Sequence, residues 1–260
     1  MDDSTKSRAL TLKQRLNDNL KKIKDRIAQA AARVGRDPER IKLLAVTKTV
    51  DLEHILALLE LGQVDIAESR VQQLIHRAGM LGEHLTRHAG AQQDQPVIQP
   101  RWHMIGHLQR NKVKPLLPVV ELIHSVDTLR LAEEISNFSR KINKVQDVLI
   151  EVNCSGEEQK FGLPVAAVGH LIEQLASVPN IRICGLMTMA PLVDDPEKTR
   201  PCFERLYELF LETKLDYRLG KEFEHLSMGM SQDFEIAVEC GATLVRVGTA
   251  LFEGIETLPA

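Results

Sequence analysis

Ile41-Lys42-Leu43-Leu44-Ala45-Val46-Thr47-Lys48 is a short run, apolar but for Lys42 until it closes on Thr47 and Lys48. A run of this length and composition reads as a strand buried on both faces, as in a parallel sheet. Upstream, Leu16, Leu20, Ile23, Ile27, Ala31 and Val34 recur at steps of three and four. That spacing predicts an amphipathic helix over about residues 8–35, with Thr11 and Gln14 as a capping box and Gly35 as its end. Downstream, Asp51 is expected to cap a helix running to Leu61, with Gly62 as the stop. Further strand-like runs follow at 64–67, 102–105, 119–124, 148–152, 181–186, 223–226 and 242–247. Helical patterns separate them, from 71 to about 85, after Asp127 as a cap, from Pro164 and from about Pro196, while 88–100 reads as a polar loop. Eight short strands alternating with helices predict a closed (β/α)8 TIM barrel, which the 260 residues suit. A doubly wound sheet would need a glycine-rich turn after the first strand, and Val46-Thr47-Lys48-Thr49-Val50 has no glycine. Residues 1–260 are therefore read as one barrel domain, with no second C-terminal domain expected after the eighth strand.

Composition narrows the function classes. The net charge of −3 gives no basic field for nucleic acid or an anionic membrane. None of the four cysteines forms a CxxC pair, which points to reduced thiols in a cytoplasmic protein. The start, Met1-Asp2-Asp3-Ser4-Thr5-Lys6, lacks the apolar core of a signal peptide, and no run of about 18 apolar residues exists to span a membrane. His103 and His107 flank a strand end rather than sharing a helical face, so no metal site is expected; His124 reads as a polar barrel residue, and Asp194-Asp195 as a solvated loop.

Active sites of such barrels lie at the C-terminal ends of the strands. Strand one delivers Lys48 there, on the face of Leu44 and Val46. A lysine in a barrel mouth is expected to be desolvated and hence nucleophilic toward aldehydes, although a lysine taken alone is most often a snorkelling surface residue. Strand seven leads to Ser227-Met228-Gly229-Met230-Ser231 and strand eight to Arg246-Val247-Gly248-Thr249. Hydroxyls, close-approach glycines, backbone N–H groups and a fixed guanidinium in these two loops are the parts of a phosphate site. Opposite a strand-one lysine, they point to a phosphorylated aldehyde.

These segments carry a family resemblance. Leu43-Leu44-Ala45-Val46-Thr47-Lys48-Thr49, Trp102-His103-Met104-Ile105-Gly106-His107-Leu108-Gln109-Arg110-Asn111-Lys112, His124-Ser125-Val126-Asp127, Gly185-Leu186-Met187-Thr188-Met189, Leu226-Ser227-Met228-Gly229-Met230-Ser231-Gln232-Asp233 and Val245-Arg246-Val247-Gly248-Thr249-Ala250-Leu251-Phe252 resemble the pyridoxal phosphate homeostasis (YggS/PROSC) family of alanine-racemase-like N-terminal barrels. The resemblance implies a fold-type III barrel that holds pyridoxal 5′-phosphate (PLP) as a Schiff base on Lys48, with Ser227, Gly229, Gly248 and Thr249 about the phosphate, Met228 among the cofactor-binding residues, and Arg246 near the cofactor, at either the ring nitrogen or the phosphate. It implies binding, buffering or delivery of PLP, with apo PLP enzymes as transient acceptors, rather than robust catalysis. Ser69 stands where the family pattern has asparagine, and the stretch from about 79 to 100 reads as a longer loop than usual.

An amino-acid racemase of the same fold type is the alternative. It needs a second acid/base on the opposite face of the substrate. The only tyrosines, Tyr207 and Tyr217, fall in the helix before strand seven, outside the barrel. Without a racemase-type dimerisation domain, a monomer is expected.

Overall fold

The computed structural model describes residues 11–89, 98–157 and 159–257, with no account of side chains at 88 and 89. The eight strands predicted are all present and parallel: β1 (Lys42–Val46), β2 (Asp65–Glu68), β3 (Arg101–Met104), β4 (Val120–Val126), β5 (Gln146–Asn153), β6 (Ile181–Met187), β7 (His225–Ser227) and β8 (Leu244–Val247). Each pairs with its neighbours in chain order, and β8 returns to β1 with Lys42 beside Leu244 and Leu44 beside Arg246, so the sheet closes. A two-residue extension, Leu163–Pro164, adds to the end of β5.

The helices are α1 (Leu12–Arg33), α2 (Leu52–Glu60), α3 (Val71–Ala89), α4 (Val113–Leu116), α5 (Leu129–Lys141), α6 (Val168–Leu175), α7 (Arg200–Asp216) and α8 (Phe234–Glu239). The Thr11–Gln14 capping box forms, and Gly35 takes a φ of 67° after α1. α1 packs on both α8 and α2. It thereby covers the seam between β8 and β1, where a barrel otherwise needs the helix after its last strand. Asn19 pins the chain end there, donating 3.0 Å hydrogen bonds to the carbonyls of Leu251 and Glu253.

Several local expectations change. Asp51 stands at the start of α2 but makes no side-chain cap bond. Thr128, not Asp127, caps α5, because its hydroxyl accepts from Leu131 N. α3 runs on to Ala89, so 79–89 is helix rather than loop; Leu81 buries under it despite Gly79 and Gly82 nearby. The remainder of that expected loop, 90–97, lies outside the described residues. A 3-10 turn precedes α6, which therefore starts at Val168 rather than Pro164.

Two layers of apolar packing result. Helices and strand exteriors form the larger core, and Leu44, Val46, Ala67, Leu122, Leu149, Cys184, Met187 and Leu244 fill the barrel itself. Among the described residues, no helix is long and apolar enough to cross a membrane.

Candidate active site

A cavity of about 550 Å³ opens at the C-terminal ends of the strands. Lys48, Arg246, Gly248 and Thr249 line it, together with Ser231 and Asp233 and an apolar wall that includes Val46, Ile105, Met189 and Leu192. Residues from β1, β6, β7 and β8 thus converge as strand-end reading requires.

Lys48 reaches this cavity from a turn rather than from the strand, since β1 stops at Val46. The lysine is exposed, so the desolvation expected for it is not found: two residues beyond the strand, it stands at the rim instead of in the barrel. Its backbone is nonetheless held tightly from α3. Gln73 donates to Lys48 O at 2.9 Å, and the Arg77 guanidinium donates to Thr47 O at 2.6 Å and to Val50 O. Arg77 also pairs with the buried Glu68 carboxylate, which accepts the Thr47 hydroxyl at 2.5 Å. Burial pushes the Glu68 carboxyl up, while Thr47, Arg77 and the Lys48 charge pull it back. Arg77 and Gln73 lie on the helix after β2, far from Lys48 in the chain, and no local signal singled out Arg77.

Ser231 organises the other side. Its Oγ accepts from Gly248 N at 3.2 Å and Ala250 N at 3.3 Å, so two backbone donors converge on one oxygen at the cavity wall. Such convergence is the geometry of an anion site. Asp233 fixes the same turn, its Oδ1 accepting from Met230 N at 2.6 Å.

Arg246 lies deeper, 4% exposed. It donates to Ser227 Oγ at 2.7 Å and to Thr188 O at 2.9 Å. Burial lowers its guanidinium to about 10, against the opposing pull of Asp233 and Glu151, so it stays charged at neutral pH.

The other three expected residues sit behind the cavity. Ser227 is fully buried below it, bonded to Arg246 and to His124 Nδ1 at 2.8 Å. Met228 faces the outer core, as strand alternation dictates. Gly229, at a φ of 89°, backs onto α8, where a Cβ would sit 2.5 Å from that of Ala237. Its carbonyl accepts from Arg246 N at 3.0 Å. Ser69 does line the cavity. His103 turns into the barrel, while His107 stacks on Phe161 at the rim, ring centroids 4.2 Å apart.

Residues 19–255 match the family described as alanine racemase, N-terminal domain. The pyridoxal phosphate homeostasis protein of Aquifex aeolicus is 42% identical over 235 residues, covering 90% of this chain and 96% of that protein. The chain belongs to the pyridoxal phosphate homeostasis protein family. Two solved structures extend the likeness to the backbone. A protein of Bifidobacterium adolescentis superposes with a TM-score of 0.83 at 34% identity, over 97% of both chains. PipY of Synechococcus elongatus PCC7942, solved with PLP bound, gives 0.73 at 27% identity, over 91% of this chain and 99% of its own. The (β/α)8 barrel expected from the strand pattern, and the fold type III that the resemblance implied, are the fold of this family.

Proposed function

We propose that this chain is a PLP-holding protein of intracellular PLP homeostasis, with Lys48 Nζ as the point of covalent attachment. The observation that carries the reading is the meeting of Lys48, Arg246, Gly248 and Thr249 on one cavity. Its donor set fits a flat phosphorylated aldehyde. An exposed amine, N–H groups converging on Ser231 and a buried guanidinium all line it. Bound there, PLP would supply an aldehyde that condenses with an amine and a ring that draws electrons from it. Gly248, Thr249 and Ser231 hold the phosphate. Arg246, on β8 just before that loop, would meet the ring nitrogen as a donor because it keeps its proton, and would leave that nitrogen unprotonated and electron withdrawal weaker.

Holding is favoured over racemisation by what lines the cavity. Among the described residues, its ionisable side chains are Lys48, Asp233 and Arg246. Asp233 is committed to Met230 N, and Tyr207 and Tyr217 sit on or at the end of α7, outside the barrel. Among the described residues, no second uncommitted base lines the cavity with Lys48. The rim position of Lys48 suits exchange, with apo PLP enzymes as transient acceptors. We take the unit to be a single-domain cytoplasmic monomer; its four thiols are free. Mixing the PLP-loaded chain with an apo PLP enzyme tests delivery: reactivation faster than with equal free PLP is expected, and reactivation no faster would refute delivery.

A further inference from the structure

The barrel interior carries a line of polar side chains that PLP attachment does not use. Interior layers of such barrels are ordinarily branched and apolar. Here a buried chain of contacts crosses from β2 to β8. Asp65 Oδ1 lies 3.2 Å from His103 Nε2, and His103 Nδ1 lies 3.1 Å from His124 Nε2. His124 Nδ1 then lies 2.8 Å from Ser227 Oγ, which accepts from Arg246 at 2.7 Å. We propose that Asp65, His103, His124 and Ser227 form a one-way hydrogen-bond relay that positions the Arg246 guanidinium at the cavity floor. The proposal rests on the reading of that cavity as a PLP site.

The direction follows from the ends inward. Asp65 takes two Arg101 donors at 2.7 Å, and its hydrogen bonds and these charges hold its carboxyl well below the usual range despite burial. A carboxylate only accepts, so His103 Nε2 donates to it. A one-way line then has the other nitrogen of His103 accept, with His124 Nε2 donating to it at 3.1 Å. Burial above all, with the Arg246 charge beside it, keeps His124 in its neutral form. Its Nδ1 therefore accepts the Ser227 hydroxyl hydrogen, leaving Ser227 Oγ to receive Arg246. Every atom of the line has a partner, whereas the neighbouring His225 Nδ1 and Glu151 Oε2 have none. With the Thr188 carbonyl as its second acceptor at 2.9 Å, the guanidinium plane is fixed at two points. Its remaining N–H donors are thereby set toward the cavity that Arg246 lines.

The relay makes a tautomer prediction that no merely space-filling role shares. In ¹⁵N-histidine-labelled full chain, with and without PLP, two-bond ¹⁵N–¹H spectra should show His103 and His124 both as Nε2–H tautomers near neutral pH. Either ring found as Nδ1–H, or doubly protonated, overturns the relay. Ser227→Ala should weaken PLP retention roughly tenfold, the loss of one hydrogen bond to a buried charge. Ser227→Thr, which keeps the hydroxyl, should restore it. Leu171→Ala, in the core of α6, should lower stability and leave PLP retention and both tautomers unchanged. Ser227→Ala with wild-type retention overturns the positioning role. A wild-type chain that takes up no PLP overturns the cofactor reading, and the tautomers still decide the relay.

Discussion

Glu151→Gln should make the protein more stable in mild alkali and change it little in acid. Glu151 shares the inward face of β5 with Leu149 and is 5% exposed, and its Oε2 has no hydrogen-bond partner. Burial, then the Asp127 charge, push its carboxyl from 4.5 up to about 7, with Arg246 pulling partway back. At about 1.4 kcal/mol per pKa unit, that displacement corresponds to roughly 3 kcal/mol. A carboxyl raised on folding binds its proton more tightly in the folded chain. Its contribution is therefore intact below about pH 4.5 and is lost as the pH rises through about 7. Glutamine has no proton to lose and keeps the neutral shape. Urea unfolding should find the variant more stable by up to about 3 kcal/mol at about pH 8, with the difference falling below about 1 kcal/mol at about pH 4.5. An equal difference at both pH values, or a variant less stable at about pH 8, would refute the account of this carboxyl.

Two further substitutions probe the scaffold under the site. Arg77→Met should leave Glu68 buried without its partner and release the 47–50 turn; chemical denaturation should show a loss of about 3–5 kcal/mol, and PLP retention should fall with it. Gly185→Ala should lose more than about 4 kcal/mol or fail to fold, since the added Cβ would lie 1.8 Å from His225 O at a φ of 151°; circular dichroism and a melting curve decide it.

The barrel was legible because short apolar runs alternate eight times with longer helical patterns. Strand ends were less so. Phe223 reads as strand but stacks on Phe210, 4.8 Å between centroids, so β7 begins only at His225. The site divides in the same way. Gly248 and Thr249 follow β8 directly, and their place on the cavity follows from chain position alone. Ser227 is also an inward residue by alternation, but its hydroxyl is engaged by His124, 103 residues away, and by Arg246. A partner so distant leaves no local trace. Arg77 escaped for the same reason, since only the packing of α3 on the β1 turn gives it a role. Lys48 was placed correctly in order but not in depth, because the two-residue overhang beyond β1 decides its exposure.

Lys48 as the attachment point is the central claim, and borohydride trapping tests it most directly. PLP-loaded protein, reduced, digested and mapped by mass spectrometry, should carry the phosphopyridoxyl group on the Lys48 peptide. Lys48→Ala should carry none there and lose the visible absorbance of the bound aldehyde. A label on another lysine in the wild type, or full covalent labelling of Lys48→Ala, would contradict the account.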